Sequence, residues 1–236
     1  MSNDALLALQ DVSYRVGRRD LLEGLNLEIE AGSFTIVLGP NGSGKTLLLQ
    51  LCHGLIQPTR GAPLWNNGSA LPPCQTMVFQ KPVLLRRTAL ENISYVLRDI
   101  PRAERVTEAA NALRWAGLEY LADRPALVLS SGEQQQLALA RAHALKPTVL
   151  FLDEPTANLD PNASVRIEGL IRAIHESGTT VMMTTHNLAQ AQRLGDNIAF
   201  LNEGRIESHQ ANKAFFETPQ SPLAASFIQS EVISLQ

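Results

Sequence analysis

The stretch that decides the fold, residues 39–46, reads Gly39-Pro40-Asn41-Gly42-Ser43-Gly44-Lys45-Thr46. It matches the P-loop pattern G-x-x-x-x-G-K-[ST], in which successive backbone N–H groups surround a phosphate. The glycines permit backbone conformations that a Cβ atom would forbid. Lys45 supplies a mobile positive charge for the β- and γ-phosphates, and Thr46 supplies a hydroxyl ligand for Mg²⁺. The motif therefore predicts a site for a nucleotide phosphate chain.

The segments on either side of this motif support the prediction. Residues 34–38 are apolar and indicate a buried strand that leads into the loop. Residues 45–52 are mostly apolar and indicate a helix that leaves it. The positive end of that helix points to the same place as the loop N–H groups. Strand, loop and helix in this order are the context that the P-loop pattern requires.

Composition limits the remaining function classes. The chain has 236 residues and a net charge of −3, which argues against a nucleic-acid binder that relies on bulk positive charge. Its two cysteines, Cys52 and Cys74, form no disulfide framework, and we expect Cys52 in the core. The sequence has neither a signal-peptide pattern nor an apolar run of the ~20 residues that span a bilayer. We expect a soluble chain in a reducing compartment.

Hydrophobic patterning divides the chain into three parts. Apolar and polar residues alternate along residues 25–30, so residues 5–38 predict half-buried β structure. Residues 82–145 carry helical patterns, and from residue 148 apolar and β-branched runs alternate with a helix, as in a parallel sheet. We therefore expect an α/β fold with a P-loop NTPase core, a mixed or parallel sheet, an N-terminal antiparallel β region and an inserted α-helical lobe.

We interpret residues 1–236 as one nucleotide-binding domain. Residues 1–81 and 146–236 would form the β region and the core, and residues 82–145 the helical lobe. The expected helices are 45–52, 88–98, 102–115 and 162–176. The expected strands later in the chain are 75–79, 148–152 and 179–185, followed by a hairpin within 196–208 that turns at residues 202–204. Residues 57–73 are interpreted as a loop, and the segment after residue 219 carries no clear pattern.

Two adjacent carboxylates, Asp153 and Glu154, follow the apolar run 150–152. At the end of a strand beside a P-loop, Asp153 would hold Mg²⁺ through water. Glu154 would polarise an attacking water molecule. Two solvated acids at a strand end are the alternative, and the neighbouring P-loop argues against it.

The chain as a whole resembles the ATPase subunits of ATP-binding cassette (ABC) transporters. The resemblance rests on five motifs in a fixed order that covers nearly the whole chain. These are the P-loop, Gln80 within Val78-Phe79-Gln80-Lys81-Pro82, Leu129-Ser130-Ser131-Gly132-Glu133, Asp153-Glu154 with Asn158-Leu159-Asp160, and His186. The third motif is close to the family signature L-S-G-G-Q. The resemblance implies ATP as substrate and Mg²⁺ as cofactor.

The residues of the signature segment also predict a helix start without reference to the family. Ser130 and Glu133 have the S-x-x-E spacing of a capping box, and a helix start is an anion site. The family implies that Ser130, Ser131, Gly132 and Glu133 face the γ-phosphate of ATP that a second copy binds. Two copies would then enclose two nucleotides, head to tail, with two-fold symmetry.

The resemblance assigns four further side chains. His186 would bind the γ-phosphate and help to position Glu154, and Gln80 would join the Mg²⁺ sphere. Tyr14 in the first strand would stack on adenine. Asp160 would lie in a loop that touches the second copy, although an Asp before a proline also fits a simple helix cap. An ordinary packing role remains the alternative for Tyr14 and a solvated side chain for Gln80.

Two residues depart from the family pattern. Ser131 stands where the first signature glycine is usual, and a positive φ there would destabilise a serine. Without a positive φ, the extra hydroxyl would instead add a phosphate contact. We predict reduced but nonzero ATP turnover relative to Ser131→Gly. Gln136 replaces a common Arg or Lys, which would remove a charge near the dimer interface.

The resemblance implies a lone ATPase subunit of a membrane transporter. Residues 80–87 and 185–194 are most similar to bacterial importers of small oxyanions, tungstate above all and molybdate or phosphate more distantly. This implies an integral membrane permease that residues 81–87 contact, a separate solute-binding protein, and a location at the cytoplasmic face of the cell membrane. The alternatives are an ATPase of an exporter or lipid transporter, a soluble non-transport ABC ATPase, and a regulatory module without hydrolysis.

Overall fold

The computed structural model describes residues 5–66 and 73–234. Nine strands occur in these residues: β1 (Ala5–Val16), β2 (Arg19–Glu30), β3 (Phe34–Leu38), β4 (Leu64–Trp65), β5 (Gln75–Val78), β6 (Val149–Asp153), β7 (Thr180–Thr184), β8 (Asn197–Asn202) and β9 (Arg205–Ala211). The same residues contain eight α-helices: α1 (Lys45–His53), α2 (Ala89–Val96), α3 (Arg102–Trp115), α4 (Ser131–Ala144), α5 (Pro161–Glu176), α6 (Leu188–Leu194), α7 (Asn212–Glu217) and α8 (Pro222–Ser234).

The N-terminal strands form a small antiparallel sheet in the order β2-β1-β4. Leu25, Leu27 and Ile29 of β2 are buried, whereas the residues between them are not. This alternation is what a sheet with one buried face requires. The expected antiparallel β region is therefore confirmed.

The large sheet has the order β5-β6-β7-β3-β8-β9. Strands β5, β6, β7, β3 and β8 run parallel, and only β9 pairs antiparallel, with β8. The expected mixed sheet is thus confirmed. Because β6, β7 and β3 are neighbours and parallel, their carboxyl ends meet at one edge, which is where open α/β sheets bind ligands.

Both faces of the large sheet are covered. Ile36 and Leu38 of β3 join a core cluster with residues of α4, α5 and α6, whereas Val37 between them joins a cluster with residues of α1, β1 and β2. A third cluster, which includes Ile93, Leu113 and Leu137, fills the lobe that α2, α3 and α4 build. Strands buried on both faces explain the continuous apolar runs in the sequence.

Helix starts follow the local sequence closely. Ser130 and Glu133 form the predicted capping box, and Asp160 caps α5 with Pro161 at its first position. A second capping box, Thr88 with Glu91, begins α2, and its T-x-x-E signal went unused in the sequence analysis. Helix α2 ends at Val96, earlier than expected.

Three of these strands and α-helices were not predicted. Strand β4 interrupts the expected loop 57–73, of which residues 67–72 lie outside the described residues. Helices α7 and α8 follow the last strand, and Phe215 of α7 is fully buried against the large sheet. Within residues 5–66 and 73–234, no helix has the length and apolar character needed to cross a membrane.

Candidate nucleotide site

The P-loop lies between β3 and α1 and needs its glycines. Gly42 and Gly44 have φ values of 79° and 104°, which side chains with a Cβ atom rarely adopt. At Gly39 a Cβ atom would collide with the carbonyl oxygen of Leu201. The loop therefore fits between α1 and β8 only with these residues, and it borders a pocket that Gly42, Gly44 and Lys45 line.

Lys45 begins α1 with its side chain only 6% exposed. Its Nζ donates to the carbonyl oxygens of Gly39 (2.9 Å) and Pro40 (3.1 Å) and lies 3.9 Å from Oε1 of Glu154. Burial lowers the pKa of Lys45 below its usual value, while the carboxylates of Glu154 and Asp153 oppose that change. The ammonium group is thus held at the P-loop by backbone oxygens and by nearby negative charge.

Asp153 ends β6 in the same site. The Thr46 hydroxyl donates to its carboxylate at 2.9 and 3.0 Å, and the Thr184 hydroxyl donates to its Oδ1 at 2.8 Å. Thr184 faces Asp153 because the two residues pair across β6 and β7. Hydroxyl and carboxylate oxygens are the donors that Mg²⁺ prefers, so Thr46 and Asp153 fit this ion.

Glu154 follows directly and has a strained backbone. Its φ is 41°, in the left-handed region that non-glycine residues rarely occupy, and its N–H donates to the Thr184 hydroxyl at 2.9 Å. Its Oε2 lies 3.1 Å from Nδ1 of His186. The Glu154 side chain is 16% exposed and that of His186 55%, so the pair borders an open cleft.

That cleft has a volume of about 700 Å³. Four predicted site residues line this cleft together: Asn41, Gln80, Glu154 and His186. A smaller pocket of about 310 Å³ lies against Gly42, Gly44, Lys45, Thr46 and Glu154. Tyr14 lines neither of them: it packs, partly buried, against the core cluster below β1.

The signature residues lie apart from the P-loop in this single chain, at the start of α4. Ser130 and Ser131 are exposed there, and Glu133 accepts hydrogen bonds from the hydroxyl (2.7 Å) and N–H (2.8 Å) of Ser130. Gly132 is buried, and a Cβ atom on it would lie 3.1 Å from that of Ala163 on α5. A helix start with Ser130 and Ser131 at the surface suits a ligand held by another copy.

The structure describes both residues that depart from the family pattern. Ser131 is the first residue of α4 and has no positive φ, so the strain expected there is absent and the reason for a gain in Ser131→Gly falls away. Gln136 is buried inside the lobe and donates to the carbonyl oxygen of Ala116 at 3.2 Å. Helix α4 thus turns this side chain toward α3, inside the lobe.

Sequence reasoning missed residues that hold the site together. Thr184 binds both Asp153 and the N–H of Glu154, and Gln190 binds Thr156 just after Glu154. Thr184 ends a strand that the sequence did predict, so its position beside Asp153 was the available signal. Gln190 had none, since its partner lies 34 residues earlier.

A parallel sheet with a glycine loop after β3 and a carboxylate at the end of β6 defines the class of P-loop nucleotide hydrolases. The family model "ABC transporter" matches residues 22–157. The chain belongs to this family and is an ABC ATPase.

Three relatives illustrate the range of the matches. The chain is 38% identical to the tungstate uptake system ATP-binding protein TupC of Peptoclostridium acidaminophilum, over 85% of this chain and 96% of TupC. It is 34% identical to the sulfate/thiosulfate import ATP-binding protein CysA 2 of Shewanella oneidensis, over 93% of this chain and 66% of that protein. Identity is again 34% to the Fe(3+) ions import ATP-binding protein FbpC of Photobacterium profundum, over 97% of this chain and 68% of FbpC.

Two solved structures share the fold. The first is cbiO1 of Clostridium perfringens, part of the ABC transporter complex cbiONQ, with a TM-score of 0.82, 29% identity and 92% of each chain covered. The second is the dimeric ATP-binding cassette MJ0796 in a post-hydrolysis state bound to ADP and Pi. Its TM-score is 0.79 and its identity 31%, over 88% of this chain and 99% of that one.

Proposed function

We propose that this chain is the ATPase subunit of an importer for a small oxyanion, with tungstate as the first candidate. Similarity to TupC over 96% of that protein's length carries the choice of solute. The sulfate and iron relatives align with only about two thirds of their length, so they weigh less. Because an ATPase subunit does not contact the solute, the choice requires a direct test.

We propose roles for the site residues from their contacts. The P-loop N–H groups and Lys45 would bind the β- and γ-phosphates of ATP, and Lys45 would exchange the carbonyl oxygens of Gly39 and Pro40 for phosphate oxygens. Thr46, Asp153 and Gln80 would hold Mg²⁺, which neutralises charge on the phosphates when bound. Tyr14 would stack on adenine after moving its ring away from the core.

The position of Glu154 between Lys45 and His186 carries the proposed hydrolysis. Glu154 would orient the attacking water molecule, and His186 would hold Glu154 and contact the γ-phosphate. Such groups act by position and electrostatics on a loose phosphoryl transition state. Ser130, Ser131, Gly132 and Glu133 of a second copy would complete the site, with Asp160 at the contact between the copies.

Three partners follow from this proposal. The second copy supplies the signature helix, an integral permease contacts residues 81–87, and a separate solute-binding protein delivers the oxyanion. The chain would lie at the cytoplasmic face of the membrane through the permease, and residues 82–145 would move as a lobe against the core when ATP binds. The proposal includes no nucleic-acid partner.

The proposal is tested by measuring which elements the cells accumulate. The gene is deleted in its own organism, and cell-associated tungsten, molybdenum, sulfur, phosphorus and iron are measured by mass spectrometry at trace supply. Selective loss of tungsten, restored by the native gene and not by Glu154→Gln, is the expected result. Selective loss of another element would reassign the solute, and no loss of any would contradict the importer proposal.

A further inference from the structure

A buried polar network joins α5, α6 and the loop that follows β6. Gln190 on α6 is 2% exposed, and its Nε2 donates to Oγ1 of Thr156 at 2.8 Å and to Oε1 of Glu168 at 3.0 Å. Arg193, one turn further along α6, donates to both carboxylate oxygens of Glu168 at 2.9 and 3.1 Å. The four side chains therefore form one connected unit across three elements.

Glu168 determines which way the Gln190 amide points. An ionised carboxylate only accepts hydrogen bonds, so the amide must present its NH₂ group to it. The second hydrogen of that NH₂ group then reaches Thr156. Arg193 balances the charge of Glu168, which is 9% exposed and would otherwise be a buried, unpaired anion.

The network closes a ring with the proposed catalytic pair. The Ala157 N–H donates to the carbonyl oxygen of Glu154 at 3.0 Å, and Thr156 lies within that turn. On the other side, Gln190 lies on the helix that begins just after His186, and its own N–H is capped by Asn187 at 2.9 Å. The contact of 3.1 Å between Glu154 and His186 completes the ring.

We propose that Gln190, oriented by Glu168, is a positioning residue that holds the Glu154 turn and the His186 loop in register. This inference rests on the proposed roles of Glu154 and His186. Glu168, Gln190 and Arg193 line the same cleft of about 700 Å³ as those two residues, and their side-chain hydrogen bonds go to one another and to Thr156, with none to residues 39–46. They would therefore affect the chemical step and leave ATP binding unchanged.

The test exchanges donors and acceptors in the network. Gln190→Glu removes both amide donors and places a second carboxylate against Glu168. Repulsion between the two carboxylates should move the side chain at 190 away from Glu168 and Thr156, which frees the turn after Glu154. We expect kcat for ATP to fall about tenfold, since small misplacements of reacting groups have effects of this order, while KM changes by less than about twofold. Turnover is measured with the purified full chain over a series of protein concentrations, because a second copy completes the site.

The double variant Gln190→Glu/Glu168→Gln reverses the polarity of the pair. The new amide at position 168 donates to the new carboxylate at 190, and the Thr156 hydroxyl donates to it as well. We expect kcat to return to within about twofold of the native value, a non-additivity that only coupled residues produce. Gln192→Glu, the same change at an exposed position of α6, is the matched control and should leave kcat unchanged.

Hydrogen exchange gives a readout that does not depend on turnover. In Gln190→Glu, the amide of Ala157 should exchange at least about tenfold faster than in the native chain, because its bond to Glu154 opens more often. In the double variant it should return to the native rate. A stability loss alone would instead accelerate exchange throughout the core, including β3 and β7.

Two results would overturn the proposal: equal kcat in Gln190→Glu and Gln192→Glu, or a double variant no better than Gln190→Glu. If Gln190→Glu does not fold, the double variant is compared with the native chain: a kcat within about twofold of native supports the proposal, and a lower kcat overturns it. Glu154→Gln, assayed alongside, separates failure of the proposed catalytic role of Glu154 from failure of the proposed network. Turnover that survives Glu154→Gln would reject the proposed catalytic role itself, whereas its loss together with a native-like Gln190→Glu would reject only the network.

Discussion

The hydroxyl of Thr184 donates to Asp153 at 2.8 Å, and the same oxygen accepts the N–H of Glu154 at 2.9 Å. One fully buried side chain thus holds the proposed Mg²⁺ ligand and the strained backbone of the proposed catalytic carboxylate. Both contacts come from β7, whereas Asp153 ends β6 and Glu154 directly follows it. The site is therefore assembled across two strands.

Thr184→Val should weaken both stability and turnover. Valine has nearly the same shape but leaves the partly buried N–H of Glu154 without its partner, a loss of about 1–3 kcal/mol in the free energy of unfolding. We expect kcat to fall about tenfold as Glu154 leaves its position. Urea unfolding and steady-state ATPase measurements check both effects. Thr184→Ser keeps the hydroxyl and should retain most of the activity; equal losses in both variants would show that packing matters and the hydroxyl does not.

Ser130→Ala and Thr88→Ala remove the same kind of helix cap in two places. Each should lower the free energy of unfolding by about 1 kcal/mol, because one N-terminal N–H group loses its side-chain partner. Only Ser130→Ala should also reduce ATP turnover, since α4 would face the nucleotide of a second copy and α2 would not. Similar turnover in the two variants would contradict the proposed role of the signature helix.

The capping box of α4 should also make stability depend on acid pH. Hydrogen bonds from the hydroxyl and then the N–H of Ser130 hold the pKa of Glu133 below its usual 4.5. A lowered folded-state pKa stabilises the protein fully above about 4.5, and this contribution is lost as pH falls through the folded-state value. The difference in free energy of unfolding between native protein and Glu133→Gln should therefore shrink below pH 4.5. A difference that stays constant during acid titration would refute this account.

Gly132→Ala should disturb the packing of α4 on α5. The added methyl group would lie 3.1 Å from the Cβ of Ala163, closer than ordinary contact, so one helix must shift. Overpacking of this kind typically costs about 1–3 kcal/mol, and the shift would move the signature away from its target. Adding Ala163→Gly removes the opposing methyl group and should restore turnover. Failure of that second change to restore it would indicate that Gly132 acts by contacting the ligand directly.

ATP should convert the hydrolysis-deficient chain into a dimer. In Glu154→Gln the nucleotide would remain intact, so the two copies should stay closed around it and elute as a dimer in size-exclusion chromatography with Mg²⁺ and ATP. The further change Ser130→Arg places a bulky cation at the signature and should keep the chain monomeric under the same conditions. A monomer in both cases would mean that closure needs the permease.

Much of the architecture could be predicted because its signals are local. The P-loop requires glycine at fixed positions, the capping boxes need a hydroxyl and a carboxylate three residues apart, and the hairpin at residues 202–204 turns where Glu203 and Gly204 have positive φ. Strand β4 was missed because two residues leave no periodicity. Helix α7 was missed because Phe215 is buried through contacts that only the assembled sheet provides.

The sequence by itself determined the class of site, since residues 39–46 form a P-loop whose backbone geometry those residue types alone permit. It also identified Asp153, Glu154 and His186 as a group, through their order along the chain. Only the tertiary structure decided how they are held: Thr184 beside Asp153 through strand register, Gln136 inside the lobe, and Gln190 bound to both Thr156 and Glu168. These contacts join residues 20 to 34 positions apart, and no local pattern records which distant side chains the folded sheet and helices bring together.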